Sequence, residues 1–321
     1  MVTEGNVAYF EDIIMLGIAT VVKNAGSHYM LTELPEWKVF PAVIRGRIRL
    51  KGATTTNPVA VGDRVRYEKD GETFVITEVL PRQNYLIRRS TNLSRQNHII
   101  AANIDRAWII VSLYFPEVKL PLLDRILVTC GCYGIPATVV LSKTDLYRKE
   151  DPEGIASLRR IYEGAGYEVI ETSTLTGEGI DLIRERCKGA VNLFSGESGV
   201  GKSSLIRAID PSLDPKVGDI SLAHLQGKHT TSLYEMYRIS SGGYIIDSPG
   251  IRGFGLVDLE KEEIAKYFPE MLAASEGCRF TPCTHTHEPG CAVKAALEAG
   301  KISPERYNSY LGMLEEDKKF R

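Results

Sequence analysis

The period of hydrophobic and polar positions changes along the chain. From Leu16 to Leu80, apolar and polar residues alternate with a period of two in short runs separated by turn residues, without a helical period. This pattern predicts the strands of a small β-barrel. The runs with this alternation are GIATVVKN, AVIRGRIRL, GDRVRYE and TFVITEVL.

One of these strands separates its charges from its apolar side chains. In AVIRGRIRL, Arg45, Arg47 and Arg49 fall on one face, and Ile44, Ile48 and Leu50 fall on the other. An oligonucleotide-binding (OB) barrel presents its groove in this way, whereas an SH3-like barrel without a nucleic-acid role remains an alternative.

A polar, basic connector, IRRSTNLSRQNH, precedes a region in which apolar strands alternate with amphipathic helices. This alternation predicts a parallel sheet with helices on both faces. The predicted strands are RAWIIVSL, PATVVLSK, YEVIETS and AVNLFSG. The predicted helices are KLPLLDRILVTCGCYG, closed by Gly134; DPEGIASLRRIYEGAG, capped by Asp151 with Pro152 in its first turn; GIDLIRERC; and KSSLIRAI.

After Gly255 the pattern becomes helical, with LEKEEIAKYFPEML and ISPERYNSYLGMLEEDKKF on either side of a cluster of cysteines and histidines. We therefore predict three domains: a barrel over residues 1–89, an α/β domain over residues 90–257 and a small helical domain over residues 258–321.

Composition supports a globular protein, since 43% of the 321 residues are hydrophobic and 25% are charged. Apolar runs such as AWIIVSLYF are shorter than the roughly 18 residues of a membrane span, and the N-terminus lacks a signal-peptide layout. We expect a cytoplasmic protein without a membrane partner.

The net charge of −2 conceals a local excess of positive charge. Between Phe40 and Arg95 there are 11 Lys and Arg against 5 Asp and Glu. This excess favours a polyanionic partner, although a solvated basic face without a partner would have the same composition.

The stretch GESGVGKSS follows an apolar strand, opens a helix and matches the phosphate-binding pattern G-x-x-x-x-G-K-[ST]. Its backbone N–H groups would surround phosphates, Lys202 would hold the outer phosphates, and the Ser203 hydroxyl would ligate magnesium. A glycine turn with a capping lysine is the alternative. The nucleotide-binding residues predicted here are Gly196, Glu197, Ser198, Gly199, Val200, Gly201, Lys202, Ser203 and Ser204.

Two further fragments at strand ends predict which base is bound. In SKTD, Asp145 would accept two hydrogen bonds from the guanine edge, which adenine does not offer, and Lys143 would lie along the ring. Ser142 and Thr144 complete this base-reading loop, and Ser173 in TSTLTGEG would close over the base.

Two other fragments supply groups for the γ-phosphate and its metal ion. In IIDSPG, Asp247 would enter the magnesium shell and Gly250 would sense the γ-phosphate. In GKHTTS, Thr231, or less favourably Thr230, would join magnesium when the γ-phosphate is present. The predicted magnesium ligands are therefore Ser203, Thr231 and Asp247.

These are the parts of a GTPase in an unusual order, because the base-reading fragments precede the phosphate loop. Joining the termini of a domain and cutting a surface loop leaves its packed layers unchanged, so the order indicates a circular permutation. The sequence thus resembles the circularly permuted GTPases, and among them the small-ribosomal-subunit-dependent GTPase A family. The resemblance covers nearly the whole chain and includes GESGVGKSS, GKHTTS and DSPGIRGFGL.

This resemblance implies an OB barrel, a permuted GTPase domain and a zinc domain that act late in assembly of the small ribosomal subunit, which stimulates GTP hydrolysis. The expected ligands and partners are GTP and GDP, magnesium, the small subunit and its rRNA. We also expect a monomer. Two other functions remain open: a phosphate-loop ATPase or kinase, and an RNA-binding module in which GTP is only a structural ligand.

The sequence departs from the usual GTPase patterns at two positions. The family usually has Asn in place of Ser142, whose shorter side chain would weaken the tie between base loop and phosphate loop. Ile251 stands where small GTPases place a water-orienting glutamine, so a slow intrinsic rate is expected. The family suggests His229 as the catalytic substitute, and packing or capping within its loop is the alternative.

The segment CRFTPCTHTHEPGC offers thiolate and imidazole ligands for a closed, tetrahedral structural zinc site. Its spacing matches the family better with His285 than with His287, and free thiols without metal are the alternative. The predicted zinc ligands are Cys278, Cys283, His285 and Cys291.

Overall fold

The computed structural model describes residues 16–25, 28–44, 59–88, 98–213, 234–247 and 259–319. Its first region is a closed five-stranded barrel, which confirms the predicted barrel. The first strand pairs antiparallel with the second and with the fourth, and the third pairs parallel with the fifth. The strands are β1 (Leu16–Ala25), β2 (His28–Glu33), β3 (Lys38–Ile44), β4 (Arg64–Asp70) and β5 (Thr73–Val79).

The barrel core consists of the inward-facing residues of these alternating strands, among them Val21, Leu31, Val65 and Ile76, all buried. The sequence pattern did not predict β2. This strand is held in the sheet by backbone hydrogen bonds to β1 and β3. Arg45, Arg47 and Arg49 lie outside the described residues.

The α/β region contains the predicted parallel sheet, with one strand added antiparallel. A separate hairpin of β6 (Tyr85–Arg88) and β7 (His98–Ala102) precedes it. The sheet strands are β8 (Arg106–Val111), β9 (Ala137–Leu141), β10 (Val169–Glu171), β11 (Val191–Gly196), β12 (Glu235–Arg238) and β13 (Tyr244–Asp247). The antiparallel strand is β12, which lies beside β13. The helices are α1 (Leu120–Cys132), α2 (Thr144–Tyr147), α3 (Pro152–Gly164), α4 (Ile180–Cys187) and α5 (Lys202–Ile209).

Both faces of this sheet are buried. Along β8, Ile109 packs in the core formed with α1 and α3, whereas Trp108 and Ile110 pack in the core formed with α4 and α5. This double coverage explains why the strand is apolar at successive positions.

The spatial order of the strands agrees with the predicted permutation. The order is β10-β9-β8-β11-β13-β12. The chain thus adds β9 and β10 on one side of β8, and then returns to add β11 on the opposite side of β8. β11, which leads into the phosphate-loop sequence, lies at the centre of the sheet between β8 and β13.

The barrel and the α/β region share backbone pairing. Strand β12 pairs antiparallel with β1, so that within the described ranges eleven strands form one sheet. On the barrel side, Trp37 stacks on Tyr244 of β13, with ring centroids 5.4 Å apart.

The C-terminal region is helical and packs on α1. Its elements are α6 (Lys261–Ile264), a 3₁₀ turn (Ala265–Tyr267), α7 (Pro269–Ser275), α8 (Ala292–Glu298) and α9 (Pro304–Lys319). The single helix predicted over LEKEEIAKYFPEML is therefore broken, because Pro269 has no N–H and starts a new helix. Within the described residues, no helix has the length and hydropathy required to cross a membrane.

A buried cluster of charges anchors α9 to the α/β region. Arg306, 1% exposed, donates to Asp124 of α1 at 2.7 Å and to Glu270 of α7 at 2.7 Å. Its guanidinium also lies 4.6 Å from the ring centroid of Phe268. The arginine thus joins three helices that are distant in sequence.

Candidate functional site

The phosphate-loop sequence forms the connection between β11 and α5, at the carboxyl end of the central strand. A Cβ atom on Gly196 would lie 2.6 Å from the carbonyl oxygen of Ile110, so only glycine fits there. Gly201 has a φ of +96°, a conformation that side chains other than glycine rarely adopt. Along the loop, Ser198 and Gly199 are exposed and Val200 is buried, while Ser203 and Ser204 lie in the first turn of α5.

Lys202 and Asp247 meet at this end of the sheet. Lys202 begins α5, Asp247 ends the neighbouring strand β13, and their Nζ and Oδ1 atoms are 2.8 Å apart. The Asp247 Oδ1 atom is buried and, among the described residues, accepts no well-directed hydrogen bond. A carboxylate oxygen of this kind, paired with the lysine that directly precedes Ser203, suits a hard divalent cation such as magnesium.

The base-reading loop follows β9 and contacts the phosphate loop directly. The Ser142 hydroxyl lies 2.6 Å from the carbonyl oxygen of Val200, 58 residues further along the chain. The Lys143 ammonium donates to the carbonyl oxygen of Gly199 at 2.6 Å and to that of Phe115 at 2.7 Å. Two segments far apart in sequence are therefore in direct contact at this end of the sheet.

The Ser142 contact bears on the expected weakness of this position. The hydroxyl also lies 3.0 Å from the carbonyl oxygen of Val111, and its single proton serves one acceptor at a time. Serine therefore reaches the phosphate loop despite its length, through one donor.

The other residues of this loop differ in burial and in their contacts. Lys143 has a φ of +59° and precedes α2, and burial lowers the pKa of its ammonium group. Thr144 is buried and its N–H donates to the carbonyl oxygen of Thr172 at 3.1 Å. Asp145, in the first turn of α2, is half-buried.

Ser173 occupies the corresponding position after the neighbouring strand β10. It is buried, and its hydroxyl oxygen accepts hydrogen bonds from the N–H groups of Leu175 and Thr176, both at 3.2 Å. The adjacent side chain of Leu175 is 82% exposed. The side-chain hydroxyl thus fixes a tight turn at the same edge of the sheet as the base-reading loop.

Sequence reasoning missed two contacts beside these loops. The carbonyl oxygen of Phe115, in the loop after β8, is an acceptor for Lys143. Lys119, at the start of α1, forms an ion pair of 3.2 Å with Glu197 in the phosphate loop. Neither residue belongs to a motif, and only the sheet-edge position of the loop after β8 could have indicated them.

Several predicted site residues lie outside the described residues. They are His229, Thr230, Thr231, Gly250 and Ile251.

The predicted metal ligands Cys278, Cys283, His285 and Cys291 come together. Their ligand atoms all lie within 4.8 Å of one another. The His285 Nδ1 atom is 3.6 Å from the Cys278 Sγ atom and 3.4 Å from the Cys291 Sγ atom. These separations fit a tetrahedral ion with bonds of about 2.0–2.3 Å, and three thiolates with one imidazole suit zinc.

The structure separates the two histidines of this segment. His285 is buried within the cluster, whereas His287 is exposed and its Nδ1 atom lies 2.9 Å from the Thr286 hydroxyl. His285 is thus the histidine that faces the three cysteines.

Groups outside the cluster orient its loop. The Tyr307 hydroxyl donates to the carbonyl oxygen of His285 at 2.6 Å, and the Tyr310 hydroxyl donates to that of Thr284 at 2.7 Å. Burial alone would raise the pKa of Glu288, but hydrogen bonds from the Thr284 hydroxyl and N–H and from neighbouring N–H groups lower it overall. The loop is therefore shaped by α9 as well as by its ligands.

Comparisons with known proteins agree with this architecture. A family model described as RsgA GTPase matches residues 79–257. The small ribosomal subunit biogenesis GTPase RsgA of Bacteroides fragilis is 47% identical over 305 residues, covering 94% of this chain and 98% of the relative. The protein of the same name from Christiangramia forsetii is 43% identical over 300 residues, covering 92% of this chain and 95% of the relative.

Two solved structures have the same fold over nearly their full length. YjeQ from Thermotoga maritima has a TM-score of 0.76 and 31% identity, covering 94% of this chain and 98% of the other. YloQ, described as a circularly permuted GTPase, has a TM-score of 0.69 and 27% identity, covering 96% of each chain.

Proposed function

The chain belongs to the RsgA GTPase family, and we propose that it hydrolyses GTP to GDP and phosphate during maturation of the small ribosomal subunit. In this proposal the protein binds the subunit and its rRNA in the GTP state and leaves after hydrolysis, which the subunit stimulates. Membership of this family does not favour the alternative assignment as a phosphate-loop ATPase or kinase.

One observation carries the assignment of the site to a guanine nucleotide. Ser142 and Lys143, which precede the base-reading position Asp145, contact the carbonyl oxygens of Val200 and Gly199 in the phosphate loop. A single nucleotide lying across these loops would have its base near Asp145 and its phosphates at Lys202.

We assign two kinds of metal ion to the protein. Magnesium would be held with GTP by Asp247, Ser203 and, in the presence of the γ-phosphate, Thr231, and it would neutralise charge on the phosphates. Zinc would be held by the four predicted ligands as a structural ion that stabilises the C-terminal region.

We assign the γ-phosphate response to Gly250 and the positioning of water to His229. Replacing His229 by Ala should lower the subunit-stimulated rate of hydrolysis while leaving GDP affinity within about twofold, because a water-positioning group acts mainly in the transition state. Equal stimulation of this variant and the wild type would assign the histidine to packing of its loop.

The proposal includes rRNA binding through the basic barrel, a cytoplasmic location, where ribosomal subunits are matured, and a monomeric state. Light scattering coupled to gel filtration measures the last of these directly.

The decisive experiment measures phosphate release from GTP and ATP side by side, with and without small ribosomal subunits. We expect slow release from GTP alone, a marked increase with subunits and no comparable release from ATP. Lys202→Ala should abolish release, and Asp145→Asn should abolish the preference for GTP. Release from ATP unaffected by Asp145→Asn would indicate an ATPase, and the absence of turnover with subunits would indicate an RNA-binding module with GTP as structural ligand.

A further inference from the structure

The barrel contacts both faces of the β12–β13 hairpin, which carries Asp247. On one face, Lys23 of β1 pairs with Glu235 of β12, with Nζ and Oε2 atoms 3.1 Å apart. On the other face, Trp37 stacks on Tyr244. The domain expected to bind RNA is therefore attached to the strand that ends in the nucleotide site.

Glu235 lies directly opposite Asp247 in the antiparallel pairing of β12 and β13. Residues directly opposite each other project to the same face with Cβ atoms about 4.5–5.5 Å apart, and like charges in this position repel. Each carboxylate has its own lysine, since Lys202 pairs with Asp247 and Lys23 pairs with Glu235. The four side chains thus connect barrel, β12, β13 and phosphate loop.

Tyr237 provides separate support for the proximity of the two carboxylates. Its hydroxyl donates to the Glu235 Oε2 atom at 3.3 Å. Burial raises the pKa of this hydroxyl, and the charges of Glu235 and Asp247 raise it further. Both carboxylates therefore act on the same side of the hairpin.

We propose that Lys23 is a positioning residue for the nucleotide site. Its positive charge offsets the negative charge of Glu235, and this balance sets how readily Lys202 leaves Asp247 to bind the phosphates of a nucleotide. A partner that draws Lys23 away from Glu235 would change nucleotide affinity at a distance. This inference rests on the proposed assignment of Lys202 and Asp247 to the nucleotide.

The charges determine the direction of the effect. Without the Lys23 charge, Glu235 adds an uncompensated negative charge beside Asp247, which holds Lys202 more strongly and repels an anionic nucleotide. A bound magnesium ion would offset this negative charge. Loss of Lys23 should therefore weaken binding of metal-free GDP more than binding of GDP with magnesium, whereas a purely structural loosening of the barrel would weaken both alike.

The test measures GDP affinity of the full-length protein by fluorescence titration, in EDTA and in magnesium. Lys23→Met should weaken GDP binding about two- to fivefold in EDTA, the range expected from a partly exposed cross-strand charge pair, and less in magnesium. Adding Glu235→Gln to Lys23→Met should restore affinity to within about twofold of the wild type, because the uncompensated charge is removed. The control Lys38→Met, at a barrel lysine 87% exposed, should change neither value.

Each result has a distinct meaning. Unchanged affinity of Lys23→Met in EDTA, an equal loss in both buffers, or failure of Glu235→Gln to restore binding overturns the inference while leaving the proposed function intact. Failure of the wild type to bind GDP at all overturns both.

Discussion

At the scale of single residues, Ser142 is informative because its side chain is shorter than the asparagine that the family resemblance led us to expect. Its hydroxyl reaches the carbonyl oxygen of Val200 at 2.6 Å, so this side chain contributes a single donor to the link between base loop and phosphate loop. An asparagine has two N–H groups and an oxygen for the same task.

Ser142→Ala should weaken GDP binding about three- to tenfold, because a net hydrogen bond worth about 0.5–1.5 kcal/mol is lost between two loops that hold the ligand. Isothermal titration calorimetry measures the change. Ser240→Ala is the matched control, since Ser240 is exposed in the turn between β12 and β13, belongs to neither loop and should leave affinity within about twofold. An unchanged affinity of Ser142→Ala would show that the loops are held by Lys143 alone.

At the scale of elements, the loop that carries the four proposed zinc ligands is a short segment, which hydroxyl groups from α9 also orient. Such a loop has few apolar side chains to bury, so a bound zinc ion would supply much of its stability.

Cys283→Ser should release the ion and lower the melting temperature of the C-terminal region by about 5 °C or more, because a structural metal contributes folding free energy. Elemental analysis and thermal unfolding give the two readouts. His287→Ala should retain the ion, since His287 is exposed outside the cluster. Loss of metal from His287→Ala, or its retention by Cys283→Ser, would contradict the ligand assignment.

The attachment of α9 to α1 and α7 depends on Arg306 between two carboxylates. Burial raises the pKa of Asp124 even though Arg306 lies beside it and lowers that pKa, so the pairing does not fully offset the cost of desolvation. Removal of Arg306 would leave the carboxylates of Asp124 and Glu270 buried without their shared positive partner.

Arg306→Met should therefore lower the free energy of unfolding by about 3–5 kcal/mol, the usual cost of breaking a buried ion pair from one side. Chemical denaturation measures it. The exposed pair of Arg160 and Glu153 is the control, with side chains 69% and 77% exposed, and Arg160→Met should change stability by less than about 0.5 kcal/mol. Equal effects of the two variants would mean that the buried pair contributes no more than a surface pair.

At the scale of the whole molecule, the strands of the barrel and of the GTPase region form one sheet through the pairing of β1 with β12. The excess of positive charge lies in the barrel region, and Arg64 of β4 is exposed there. The affinity for an RNA partner bound at the barrel would depend strongly on salt concentration.

Arg64→Glu should weaken binding to small ribosomal subunits and lower the slope of log affinity against log salt by about 1–2, because phosphate contacts release counterions. Binding assays at several salt concentrations give the slope. Arg160→Glu, a charge reversal on α3 in the GTPase region, should leave the slope unchanged. The same slope for Arg64→Glu and wild type would place the RNA contact elsewhere.

The sequence by itself determined the features that depend on near neighbours in the chain. Asp151 caps α3 by accepting the N–H of Gly154 at 2.8 Å, as the local pattern predicted. The barrel, the parallel sheet and the permuted order of the motifs were also predictable. Strand periodicity and motif order can be recognised in the sequence without knowing which residues are in contact.

Only the tertiary structure decided which distant side chains meet. Arg306 and Asp124 are 182 residues apart, and Lys23 and Glu235 are 212 apart, yet each pair is in direct contact. In the sequence these residues resemble ordinary solvated charges, because the identity of a residue carries no record of its partner. Burial and pairing arise when the layers pack, which is why the tie of Ser142 to Val200 and the attachment of the barrel became visible only in the folded chain.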